Sequence, residues 1–228
     1  TLIMFIKNSS SFNLKSKIHK AVSIALISAG FIPAVNAAET NVNINNPTGT
    51  TIDGTTAVTL NDGQSFTVDN DGTIAGTDTN TGRGINVTGT TTITTLTNDG
   101  TISGEAGNNT GQGILLQTSS TITTLTNDGT ISGSATVDFG RGINLVLTST
   151  ITTLTNDGTI SGTAGDDSGF GIFLTSNSEI TNLTNTGTIT GTAVTNAFDI
   201  RIDATSNLVN FNNLQSGLTY DGRLPSNY

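Results

Sequence analysis

The chain has 228 residues with 17 acidic against eight basic side chains, a net charge of −9, and no cysteine. Disulfides therefore contribute nothing to its stability. Aromatic residues are scarce, at 5%, which argues against a sugar-binding cleft.

Thr1, Leu2 and Ile3 precede Met4, the only methionine; the natural start is expected at Met4, with the first three residues as translated upstream sequence. Lys7, Lys15, Lys17, His19 and Lys20 follow without an acid, then an apolar run from Ala21 to Phe31 and the small-residue site Val35-Asn36-Ala37. A charged segment, a short apolar segment and such a site describe a secretory signal peptide over 1–37. The apolar run is too short to span a bilayer. Cleavage after Ala37 would remove every lysine and the single histidine, leaving four arginines against 17 acids, a net charge of −13. Such a chain does not bind nucleic acid through phosphate contacts. Nucleophilic triads and zinc sites are excluded with it, for want of His, Cys or Lys. No catalytic, cofactor-binding or metal site residue is assigned.

Residues 38–67 carry Val42, Ile44, Ile52, Val58 and Leu60 at strand-like spacing and are expected to form an irregular N-terminal capping coil. From 68 to 213 the chain repeats. Leu96-Thr-Asn-Asp-Gly-Thr-Ile-Ser-Gly104 returns unchanged as Leu125–Gly133 and Leu154–Gly162, with looser copies at Val68–Gly76 and Leu183–Gly191. A second mark keeps step with it, in Gly82-Arg83-Gly84-Ile85, Gly111-Gln112-Gly113-Ile114, Gly140-Arg141-Gly142-Ile143 and Gly169-Phe170-Gly171-Ile172. A fixed period of 28–29 residues is the signature of a solenoid. Within each unit, aliphatic residues recur every second or third position with threonine between them, the pattern of strands with one face inward. The Asp-Gly pairs read as corners where glycine supplies a positive φ. The expected fold is all-β, a single-stranded parallel β-helix of about five coils. One unit cannot bury enough to stand alone, so stability is expected to grow with coil number.

Stacking in register places like over like. Asn70, Asn98, Asn127, Asn156, Asn185 and Asn213 are expected to form a column of mutually bonded amides. The adjacent column is Asp71, Asp99, Asp128 and Asp157, followed by Thr186. Carboxylates about 5 Å apart repel by roughly 0.8 kcal/mol per pair even in water, so these must face solvent, share protons or hold cations; solvent is the leading reading and calcium the alternative. Asp166-Asp167 is the one adjacent acid pair, with Asp199 and Asp203 on another coil. Residues alternate sides along a strand, so these are read as solvated charges, not as the acid/base pair of a polysaccharide-acting β-helix enzyme. Thr94-Thr95, Thr123-Thr124 and Thr152-Thr153 form a possible hydroxyl array of the kind that ice-binding β-helices resemble; ordinary outward threonine is the simpler account. The segments 77–81, 105–110, 134–139, 163–168 and 192–196 differ between copies. They are expected to project from one edge and carry any recognition.

The closing stretch, Leu214 to Tyr228, shows no evident cap, which would leave an open strand edge and favour end-to-end self-association. This stretch, the LTNDGTISG and GxGI marks, and the lysine-bearing leader together resemble the N-terminal passenger region of bacterial autotransporters, the type V secretion family. The resemblance implies a right-handed β-helix carried to the cell surface by an outer-membrane β-barrel translocator, an adhesin-like or stalk role without catalysis, and a host or matrix glycan or protein as partner. No barrel is present in this sequence, so 214–228 reads as the start of a junction to a missing C-terminal region. A β-helix enzyme or binding protein acting on surface polysaccharide is the alternative, and ice binding the third.

Overall fold

Threonine, isoleucine and leucine favour a pleated, half-buried backbone, and strands are the only regular elements in the computed structural model, which describes residues 38–223. The signal peptide expected over 1–37 and the last five residues of the expected junction lie outside the described residues. Three parallel sheets wrap one core. The first stacks Ile44–Asn46, Ser65–Asn70, Thr92–Asn98, Thr121–Asn127, Thr150–Asn156, Glu179–Asn185 and Asn207–Asn213. The second stacks Thr51–Gly54, Thr73–Asp78, Thr101–Ala106, Thr130–Ala135, Thr159–Ala164 and Thr188–Thr192. The third runs from Glu39–Thr40 through Thr56–Leu60, Thr81–Val87, Thr110–Leu116, Phe139–Leu145, Ser168–Leu174 and Asn196–Ile202 to Tyr220–Asp221. Each coil gives one strand to each sheet, and the molecule is a parallel β-solenoid of about five regular turns.

The register is the sequence period made physical. Ile122 pairs with Ile93 and Ile151, Ile131 with Ile102 and Ile160, and Ile143 with Ile114 and Ile172. These side chains are fully buried, and each aliphatic burial is worth about 1.5–3 kcal/mol. The N-terminal stretch joins the same stack, with Ile52 paired to Ile74 and Val58 to Ile85.

The asparagine column is present and begins one coil earlier than expected, at Asn46. Every step from Asn46 through Asn70, Asn98, Asn127, Asn156 and Asn185 to Asn213 is an Nδ2 donating to the next Oδ1 at 2.7 Å. The second proton of Asn70, Asn98, Asn127 and Asn156 goes to a backbone carbonyl of the next coil, at 3.1–3.2 Å. These buried amides are thus satisfied, and an unsatisfied one would cost about 1–3 kcal/mol. The ladder is closed at both ends: Thr50 Oγ1 donates to Asn46 Oδ1 at 2.5 Å, and Asn213 Nδ2 donates to the Gln215 carbonyl at 2.8 Å.

The corner glycines serve a different purpose from the one expected. Gly100, Gly129, Gly158 and Gly187 do not have positive φ. A Cβ on any of them would lie 2.0–2.1 Å from the carbonyl oxygen of the equivalent glycine one coil back. Close stacking of backbone on backbone is what excludes a side chain. The GxGI mark has the same cause. A Cβ on Gly111 or Gly140 would sit 1.8–1.9 Å from the carbonyl oxygen of Ser134 or Thr163, and one on Gly104 or Gly133, at the end of the first mark, 1.8 Å from that of Gln112 or Arg141, so the second and third sheets meet there backbone to backbone.

In the regular coils positive φ falls at the opposite corner, between the third and first sheets, on Gly89 in one coil and on residues with side chains in the next three. Thr118-Ser119, Leu147-Thr148 and Ser176-Asn177 all lie between 55° and 64°. Each pair is followed by a fully buried serine; Ser149 Oγ and Ser178 Oγ donate at 2.8 Å to the carbonyls of Val146 and Thr175, three residues back. The hydroxyl closes the turn and holds the backbone in a region that L-residues avoid.

The closing stretch is more than an open edge. Gln215 accepts from Ile189 N at 2.7 Å and donates to Ile189 O at 2.9 Å, so its side-chain amide stands where a further strand of the second sheet would be. Tyr220–Asp221 pairs with Ile200 and Arg201 at the end of the third sheet, and Leu218 and Tyr220 pack on the core. Asn207–Asn213 remains the last strand of the first sheet.

Candidate functional site

Outward positions fall into four surfaces. The turns between the second and third sheets are shorter than expected. Residues 105–106 and 110 belong to strands, which leaves 107–109 as the turn. Nor do these turns project: Gly107 N donates to Asp78 O, Asn108 N to Thr79 O and Asp138 N to Asn108 O, so they stack on one another as the strands do. What reaches solvent is a ridge of side chains, including Asn108, Asn109, Asp166 and Val194.

Asp71, Asp99, Asp128 and Asp157 are exposed beside the asparagine ladder, where water screens their repulsion. Thr186, next in the column, donates its hydroxyl to Asp157. Among the described residues no group of three or more acidic or imidazole side chains converges on a point that could hold a metal. Several other acids hold neighbouring segments together, and Asp221 pairs with Arg201 at 3.2 Å. Asp167 accepts from Ser168 Oγ at 3.0 Å. Buried Asp199 accepts from Gly191 N and Thr219 N, tying the closing stretch to the last coil. Asp203 is partly buried, which acts to raise its pKa, but hydrogen bonds from Thr175, Ser176, Ser206 and Thr205 outweigh this and hold its carboxyl well below the usual carboxylate range. A surface depression lined by Asp53, Thr55 and Thr77 contains one carboxylate and no partner for it.

On the first sheet, Thr95, Thr124 and Thr153 stack in register, as do Thr97, Thr126 and Thr155. Thr67 precedes the first column and Thr184 continues the second, so each threonine column spans four coils. The first column ends at Asn182, which pairs with Thr153, and the second at Asn212, which pairs with Thr184.

The fourth surface is the outer face of the third sheet. Two columns run along it: Arg83, Gln112, Arg141, Phe170 and Phe198, and Asn86, Leu115, Asn144, Phe173 and Arg201. Elsewhere outward columns hold mostly threonine, serine or asparagine; here they hold guanidinium groups and rings. The Arg141 guanidinium lies 4.8 Å from the Phe139 ring centre and 5.0 Å from that of Phe173. The Arg201 guanidinium lies 5.2 Å from the Phe170 ring, which in turn is 5.2 Å from Phe173 and 6.4 Å from Phe198. Arg83 Nε donates to Gln112 Oε1 at 3.0 Å. Burial pushes the Arg141 pKa down to about 10, against the pull of Asp167, and Arg201 adds like-charge repulsion. The guanidinium stays charged at neutral pH but is poorly solvated. Two buried atoms here lack any hydrogen-bond partner, Arg141 Nε and Asn144 Oδ1.

Sequence reading did not single out this face, although its signal was present. The x of GxGI varies through Arg, Gln, Arg and Phe while its flanks are fixed. Strict alternation counted back from Ile85 would turn Arg83 inward. Instead both Gly84 and Ile85 face the core, since a Cβ on Gly84 would meet Ile102 Cγ2 at 2.9 Å. This local break in alternation turns position 83 and its equivalents outward.

The fold and its surfaces define a β-solenoid, a class that serves unrelated functions. No known protein family, no curated protein and no solved structure matches the chain.

Proposed function

We propose that the chain is a surface-display scaffold, an exported passenger segment of the autotransporter kind that acts as a stalk with adhesin-like contacts and performs no catalysis. An outer-membrane β-barrel encoded outside this sequence would carry it. The observation that supports this reading is the contrast between interior and surface: the core and the asparagine ladder repeat coil after coil, while the stacked turns at 107–109, 136–138 and 165–167 differ in every copy. A rigid support with variable turns on one edge is a common arrangement for recognition. Asp199 and Asp203 are committed to hydrogen bonds from backbone N–H groups, which weighs against their use as a catalytic pair in the polysaccharide-degrading alternative.

Two experiments test it. Residues 1–37 fused to a periplasmic reporter enzyme should export it, and a reporter retained in the cytoplasm would refute export. A panel of matrix proteins probed with residues 38–228 should give specific binding that disappears when the three turns are replaced by Gly-Ser. No binding by a folded sample would remove the adhesive role and leave a spacer.

A further inference from the structure

The described chain is strongly acidic, yet three of its four arginines stand on one face of one sheet. Four of its six phenylalanines, Phe139, Phe170, Phe173 and Phe198, stand with them; the other two, Phe66 and Phe211, are in the core. Aromatic scarcity over the whole chain, which argues against a sugar site, is thus offset by local concentration. Phe170 and Asn144 are each only 2% exposed and form the base of the patch, while Arg83, Arg141, Phe173 and Phe198 are half-buried around them.

The chemistry of this patch is specific. A half-buried guanidinium without an ion pair offers its N–H donors to a carboxylate, in the charge-assisted geometry that arginine favours. Phenyl rings offer flat apolar surface to the C–H face of a sugar ring. The Arg141 guanidinium rests on the Phe139 and Phe173 rings and feels Asp167, but it makes no ion pair with a carboxylate among the described residues; a ligand carboxylate would offset desolvation that these contacts leave. The net charge narrows the choice further. A molecule with a net charge near −13 over residues 38–228 repels dense polyanions, whether nucleic acids or heavily sulfated polysaccharides, and tolerates a ligand whose negative charge is single and local.

We propose that the outer face of the third sheet, centred on Arg141 and Phe173, binds a saccharide bearing an isolated carboxylate, with the Arg141 guanidinium on the carboxylate and Phe173 under the ring. The inference deepens the display reading by giving it a target class, and it rests on that reading only for placing the face outside the cell.

The test is titration of the full 228-residue chain with 3′-sialyllactose, using lactose as the neutral control and dextran sulfate and oligo-dT as dense polyanions. The expected result is saturable binding of sialyllactose, at least tenfold weaker binding of lactose, and no saturable binding of either polyanion. Arg141→Gln and Phe173→Ala should each weaken sialyllactose at least tenfold while circular dichroism and melting temperature stay near those of the parent. Replacing the turns at 107–109 and 136–138, which keeps Asp167 in place, should leave the affinity unchanged, which separates this face from the turn ridge. Absence of sialyllactose binding by the folded chain, equal binding of lactose, tighter binding of a polyanion, or indifference to both face variants would overturn the proposal. The export reporter assay is independent, so failure of the display reading would be visible without touching this result.

Discussion

Glycine at the Asn-Asp-Gly corner is required for space, and that distinguishes it from a glycine required for backbone freedom. Asparagine tolerates left-handed φ and would replace glycine well where φ is positive, but at Gly129 any Cβ meets a carbonyl oxygen at 2.1 Å. Gly129→Ala and Gly129→Asn should therefore both destabilise by at least about 3 kcal/mol in urea unfolding, the upper end of overpacking costs; tolerance of asparagine would show that the corner needs φ after all. Thr118 is the converse case. It is an exposed β-branched residue at φ 60° with no side-chain bond to keep it there, and Thr118→Asn should stabilise by about 1 kcal/mol through relief of left-handed strain. An unchanged unfolding midpoint would mean that the turn is not strained.

Asp203 fixes a pH dependence at the same scale. Its folded pKa lies below the unfolded value, because four hydrogen-bond donors outweigh the opposing effect of burial. Its contribution to stability is therefore fully present above about pH 4, the unfolded carboxylate value, and is lost as pH falls below it. Asp203→Asn should be less stable than the parent at pH 7, and the gap in melting temperature should narrow progressively from pH 4 toward pH 2. A gap independent of pH would show that the carboxylate charge has no part in the turn.

At the scale of elements, the end of the solenoid depends on one amide. Gln215 satisfies both Ile189 backbone groups and so blunts the edge of the second sheet, as terminal segments of a solenoid are expected to do. Gln215→Ala should lower the melting temperature modestly, by the cost of about 1–3 kcal/mol for unsatisfied groups. It should also produce associated species in sedimentation velocity at concentrations where the parent is less associated. Equal sedimentation of parent and variant would remove Gln215 as an edge guard. This element was not legible in the sequence, because a side-chain amide acting as a strand leaves no period and bonds a residue 26 positions away. The aliphatic columns and the asparagine ladder were legible, since in-register stacking converts period directly into contact. The glycines were legible as positions but not as causes: a turn and a close approach both demand glycine, and only the geometry separates them. The Arg141 face was hidden by the break in alternation at Gly84, which no hydropathy pattern marks.

At the scale of the molecule, the coil is the unit both of stability and of surface variation. Each inner side chain contacts its equivalents above and below, so a coil can be removed if its neighbours then meet in the same register. Deleting residues 130–158 joins Gly129 to Thr159, a junction in which Asn127 faces Asn185 one coil on and Ile102 faces Ile160, the same residue types in the same places. Additive nearest-neighbour stability predicts a shorter solenoid that is weaker but still cooperative. The measurement that tests this most directly is far-UV circular dichroism with urea unfolding of the deletion variant beside the parent. Coil-by-coil stability gives a retained β spectrum and a single transition at lower urea. Loss of the β spectrum, or a midpoint equal to that of the parent, would contradict the claim that stability is built coil by coil.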